Sequence, residues 1–178
     1  MVRRTPRPVL VGASLLCGLI VGGPQAASAA SQTSVVAVSA SVSQSCTIGT
    51  AAIAFLPYDP VNANATVADD QTGDITIRCT KGISGITIDL GNGAHSTGQQ
   101  RRMVNLASSG IFLNYEVYKE TGRTSVWGAG DGGSLRSGSD LDGTGSVVAV
   151  TMYGRIPPGQ LSALAVTYTD TLVSTINF

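Results

Sequence analysis

The sequence predicts an all-β domain, an antiparallel sandwich of short strands. Three observations predict it. Short segments alternate apolar and polar side chains with period two. Val, Ile, Thr and Tyr dominate those segments, and turns rich in Gly, Asn and Asp separate them. No segment sustains helical periodicity.

The first residues stand outside that pattern. Arg3, Arg4 and Arg7 precede an apolar run, Val9 to Val21, and Ala27-Ser28-Ala29 follows as a small-x-small site. Residues 1–29 therefore read as a signal peptide for export, with Ala30 a rival last residue of the leader. Cys17 follows Leu16, where a lipoprotein leader needs a small residue, so lipidation is not expected.

Residues 30–45 hold the first alternating stretch. Val36, Val38, Ala40 and Val42 share one parity, with Ser39, Ser41 and Ser43 on the other. No Gly, Pro, Asn or Asp follows before Cys46, so the turn that would pair this strand with its successor is missing. The domain proper is expected over 46–178. Asp74–Thr80 alternates with Ile75, Ile77 and Cys79 on one face. Ser84–Leu90 repeats the scheme with Ile86, Ile88 and Leu90, and Ile111–Tyr118 with Ile111, Leu113, Tyr115 and Val117. Val147–Tyr153 is apolar on both faces and reads as a central strand. Thr167–Phe178 reads as one final strand on which Asp170, Leu172, Ile176 and Phe178 share a parity. Pro57–Gly73 and Gly128–Gly145 read as long loops.

Charge and cysteines bound the function. Without the three leader arginines, eight Lys/Arg face eleven Asp/Glu, which gives no support to a nucleic-acid partner. Cys46 and Cys79 remain, and an even count in an exported chain reads as one disulfide. The single histidine, His95, lies in a turn-like GNGAHSTG and reads as solvent-exposed. The carboxylate pairs Asp69-Asp70 and Asp140/Asp142 sit in loops where Asp commonly serves turns. The second pair lacks the further ligands of a calcium loop. Trp127, Tyr58 and Tyr118 could form a carbohydrate platform, but in a small sandwich such rings read as core or cross-strand pairs. No catalytic residue, metal or cofactor is assigned.

A series of short pieces, in order, carries a resemblance. It runs Phe55-x-x-Tyr58-Asp59-Pro60, Cys79-Thr80-Lys81-Gly82, Arg102-Met103, Leu113-x-Tyr115-x-x-Tyr118 and Trp127-Gly128. Tyr153-Gly154-Arg155-Ile156-Pro157, Gln160 and Tyr168-x-Asp170 complete it. Over residues 36–178 the chain resembles the spore coat protein U family, whose domain also occurs in pilins of the archaic chaperone–usher pathway. Val166 departs from the glycine usual two residues before Tyr-x-Asp. The resemblance implies an incomplete immunoglobulin-like sandwich, a surface pilus or coat subunit, and no enzyme. Its partners would be a periplasmic chaperone, an outer-membrane usher and neighbouring subunits, and its route would run through the periplasm to the cell surface. Val36, Val38, Ala40 and Val42 would form the donor strand, with Leu172, Ile176 and Phe178 on one wall of the acceptor groove. Arg155 is a candidate ion-pair partner for Asp170, the alternative being a solvated arginine. Three other readings stay open: that 36–42 is the domain's own first strand, a self-complemented coat protein, and a carbohydrate-binding surface module.

Overall fold

The computed structural model describes residues 23, 27–107, 110–128 and 133–178. Apart from 23 and 27–29, the expected leader lies outside the described residues. The chain forms two units, Met1–Ala40 and Ser41–Phe178. The described residues of the first unit carry no strand, and Val36 and Val38 there are 81% and 90% exposed.

The described residues of the second unit form ten strands. They are β1 (Cys46–Thr50), β2 (Asp69–Cys79), β3 (Thr87–Leu90), β4 (Arg102–Asn105), β5 (Phe112–Asn114), β6 (Glu116–Tyr118), β7 (Arg136–Ser137), β8 (Val147–Ile156), β9 (Tyr168–Thr169) and β10 (Ser174–Asn177). One sheet has the order β1-β2-β8-β6, and two smaller sheets have the orders β10-β3-β7 and β5-β4-β9. Every strand pair is antiparallel. Ile75, Ile77 and Cys79 of β2 and Val150, Met152 and Ile156 of β8 are buried on the inner face of the first sheet. Ile88 and Leu90 of β3 are buried in the same core, as are Leu113, Val117 and Trp127. Two apolar faces thus remove each other from water, the main reason for the two layers.

The side of the sandwich that carries β6 and β7 is stitched together. Trp127 N–H donates to Val117 O, and Gly128 N–H to Ser134 O, so Trp127, Gly128 and Ser134 bridge the layers there. On the other side β1 and β10 are both edge strands. Ile48 faces inward opposite Ile77, yet it stays 36% exposed because no strand covers that edge.

Several strand expectations need correction. β2 starts at Asp69, so the expected loop 57–73 gives up its last five residues to the sheet, where they pair with 152–156. β8 runs on to Ile156 and is central, as expected, but Val147 is exposed. The expected strand 84–90 shortens to β3. The stretch 111–118 breaks at Tyr115 into β5 and β6, which join different sheets. The final strand breaks into β9 and β10. Between them Thr171 O and Val173 O accept from Ala94 and Gly91 N–H, so the chain stays tied to the 91–94 turn while it changes sheets. Loop 128–145 contains β7 and a 3-10 turn, Ser139–Leu141. Parity could not show these breaks, because each is set by a partner distant in sequence.

Candidate strand-acceptor groove

The open side holds an apolar groove. Its first part, about 350 Å³, is lined by Thr50–Ile53, Phe55, Leu90, Met103, Tyr115, Met152 and residues 168–172 and 174. A second part, about 1010 Å³, is lined by residues 53–61, Met103, Leu113, Ile156 and residues 163–168. The two parts share Ile53, Phe55, Met103 and Tyr168. As one wall rises from 50 to 61, the other falls from 174 to 163, so the walls run in opposite directions.

Glycines seat the first wall. A Cβ on Gly154 would come within 2.8 Å of Ile53 Cγ2 and 2.9 Å of Phe55 Cζ. One on Gly73 would meet Ala52 O at 2.8 Å. After β1 the chain therefore lies directly on the inner face of β2 and β8, at the two places where side chains are missing.

The second wall is held by its terminal segment. Asp170 lines the groove with its carboxylate almost wholly buried. Its Oδ2 accepts from Tyr115 OH at 2.6 Å, and its Oδ1 lies 2.9 Å from His95 Nδ1 and 3.2 Å from His95 N. The 91–96 turn wraps this carboxylate so closely that a Cβ on Gly93 would strike Oδ2 at 2.0 Å. Burial, then the bond to Asp170, pushes the Tyr115 phenol well above its ordinary range. Ser174 Oγ, also in the wall, is buried without a hydrogen-bond partner among the described residues.

These contacts revise two expectations. Arg155 does not pair with Asp170. Its Nε and Nη2 each lie 2.7 Å from the Asp70 carboxylate, with Arg123 Nε at 3.3 Å. The reason is register: Asp70 stands directly opposite Arg155 across β2 and β8. The Arg155 hydrogen bonds hold the Asp70 carboxyl below its usual range against a slight upward push from burial, and the Arg123 charge adds to them. His95 is half-buried rather than solvated, because Asp170 draws it in.

Other expected site residues separate clearly. Cys46 and Cys79 are joined at 2.07 Å and stand opposite each other across β1 and β2. Leu172 lines the groove, Ile176 packs partly on the core, and Phe178 is 54% exposed and lines neither part. Val42 is exposed. Trp127 is fully buried and donates from Nε1 to Ile88 O, Tyr58 OH donates to Pro157 O, and Tyr118 stands opposite Tyr153. Arg136 holds Asp140, and Gln71 donates to Asp69.

A residue that sequence reasoning missed anchors the core beside the groove. Arg101 is fully buried, pairs with Glu116, and donates to the carbonyls of Leu90, Gly91 and Trp127. Its place next to the quoted Arg102-Met103 was the only available signal.

The start of the body is fixed at the end remote from the groove. Thr80 N–H donates to Ser45 O at 2.8 Å, Ser45 N–H donates to Thr80 Oγ1, and that hydroxyl lies 3.4 Å from Ser43 O. Groove lining begins at Thr50, the other end of β1. Four residue steps separate Cys46 from Thr50, roughly 13 Å of strand.

Comparison with known proteins follows this architecture. A chain in the crystal structure of the CsuC–CsuE chaperone–tip adhesion subunit pre-assembly complex, from archaic chaperone-usher Csu pili of Acinetobacter baumannii, is similar in fold. The TM-score is 0.55 at 20% identity, over 77% of this chain and 40% of that one. The present chain therefore spans less than half the length of that relative. No curated protein matches the chain. The expected incomplete, immunoglobulin-like antiparallel sandwich is what the strands form. Residues 32–175 match the model of the Spore Coat Protein U domain, and the chain belongs to that family.

Proposed function

We propose that the protein is a non-catalytic structural subunit of a surface pilus or coat, joined to its neighbours by β-strand addition. One observation carries the reading. The body leaves an apolar groove open between residues 50–61 and 163–174, on the side where β1 and β10 are edge strands, while the same chain holds an exposed segment of matching alternation that forms no strand. Val36, Val38, Ala40 and Val42 would fill a neighbour's groove, and their backbone would pair with its edges. Burying three valines supplies roughly 5–9 kcal/mol before ordering costs. Each main-chain hydrogen bond adds a net ~1 kcal/mol. Ser174 Oγ would gain the partner it lacks.

The exit of the N-terminal chain supports exchange between copies. Ser43 and Ser45 are tied to Thr80, beyond the end of β1 opposite the groove. An open edge with exposed apolar lining invites aggregation, so a subunit in transit needs cover. A periplasmic chaperone would provide that cover, an outer-membrane usher would receive the complex, and export would begin with the leader. The similar solved chain comes from a chaperone-containing complex, which agrees with this reading.

Val38→Asp tests it. A carboxylate forced into a neighbour's groove without a partner costs several kcal/mol. The variant should be exported, oxidise Cys46–Cys79 and bind chaperone, yet form no oligomer ladder in size-exclusion chromatography. Ser39→Asp, on the opposite face, should assemble. Loss of the folded, chaperone-bound subunit in Val38→Asp would mean that the strand belongs to its own domain. A clean wild-type monomer would mean self-complementation.

A further inference from the structure

We infer that the second part of the groove, with its apolar rim, docks the globular body of the next copy of this chain. The inference rests on the strand-addition reading and adds a direction and a second contact to it.

Because the groove walls run in opposite directions, an inserted strand is parallel to one wall and antiparallel to the other. Its C-terminal end can point toward β1 or toward Val61. Only Ser43, Gln44 and Ser45 separate Val42 from Cys46. Four residue steps reach at most ~14 Å. The neighbour's body must therefore sit against whichever end of the groove receives its Val42.

The two ends are not equivalent. At the Cys46 end this subunit's own N-terminal chain departs, tied to its own Thr80. A second body there would occlude that departure. The end near Val61 has no such obstruction and is bordered by exposed apolar side chains. Leu56, Val61, Leu164 and Val166 all border it and are all exposed. The neighbour would present the surface around its own start, where Lys81 follows Thr80 and the exposed Val147 stands opposite Arg78. Val61 and Leu164 would meet that valine. The contact is head-to-tail and does not close on itself, so it extends a fibre. Tethering by a short link makes even a weak second contact effective, because it forms at high local concentration.

Paired cysteines test the contact in fibres of the full mature chain. Val166→Cys combined with Lys81→Cys should give a covalent ladder in boiled, unreduced samples, where either single variant gives monomer. Val147→Asp, on the docking face of the neighbour's body and outside both parts of the groove, should yield fibres that dissociate at lower denaturant than wild type. A peptide of residues 30–45 should displace chaperone from that variant as readily as from wild-type complex. Fibres that assemble without the ladder and dissociate as wild type would overturn the docking inference alone. Failure of the peptide to displace chaperone from the wild-type complex would overturn the strand-addition reading and this inference with it.

Discussion

Arg101 shows how one residue can fix several elements. Its guanidinium serves Glu116 and the carbonyls of Leu90, Gly91 and Trp127, which lie on three separate stretches of chain. Charged side chains are almost never fully buried unless paired, so nothing in the residue pattern marked Arg101 as interior. Arg101→Met should destabilise the subunit by about 3–5 kcal/mol, because it leaves buried polar groups without their partner. The single Trp127 provides the fluorescence signal for a urea titration. A loss within error of zero would deny Arg101 this role. Cys79 is the opposite case: parity with Ile75 and Ile77 placed it inside, and the β1–β2 register brings Cys46 to it. Asp170 lies between. Parity put it near the groove, but parity names a face and not a partner, and its partners came from turn 91–96 and from Tyr115.

Tyr115 carries a pH consequence at the same scale. Its phenol is raised above the ordinary value of 10.0 by burial first and by Asp170 next. Tyr118 is raised as well, again mainly by burial. A folded state that holds these protons more tightly than the unfolded chain loses stability as pH rises past the unfolded value. Stability should therefore be independent of these groups below about pH 10 and fall above it, by up to ~1.4 kcal/mol per pH unit for Tyr115 and by less for the more exposed Tyr118. Urea midpoints across that range would show it, and Tyr115→Phe should flatten the slope. An unchanged slope in the variant would remove Tyr115 from the account. Asp70 has the reverse sign: its lowered pKa adds stability above the ordinary value of 3.8 that is lost as pH falls. Exposure and screening keep that contribution small.

At the scale of elements, long alternating strands were readable and short ones were not. β2, β3 and β8 bury residues at every second position, which is the signal periodicity measures. β1 and β4 were missed because CTIGT and RMVN are short and weakly alternating. Segment 51–55 was unreadable as a groove wall because it depends on two glycines in other strands. That dependence can be tested. Gly154→Val should push Ile53 and Phe55 off the sheet, at about 1–3 kcal/mol for overpacking. The displaced wall should also weaken binding of a 30–45 peptide, measured by chaperone displacement. Gly122→Val, where an added Cβ meets nothing within 4 Å, is the matched control. Equal peptide binding in both variants would separate the wall from the groove.

The molecule as a whole turns on the shortness of one link. An inserted strand whose C-terminal end lies near Val61 runs parallel to the 50–61 wall. Parallel neighbours in one sheet need a crossover of about a dozen residues or more. Ser43–Ser45 supplies three, so the chain cannot deliver its own donor strand to its own groove in that orientation. In that orientation the groove is filled by another copy's strand and not by the chain's own. Lengthening the link should reverse this. With about fifteen Gly/Ser residues inserted between Ser43 and Gln44, the donor face keeps its sequence but the loop can span. An intramolecular donor then competes at an effective concentration in the millimolar range, above that of free subunits. The variant should leave the chaperone as a monomer by light scattering, and its urea midpoint should rise to that of a groove filled by peptide. Persistence of the ladder at the longer link would show that something other than chain reach drives exchange between copies.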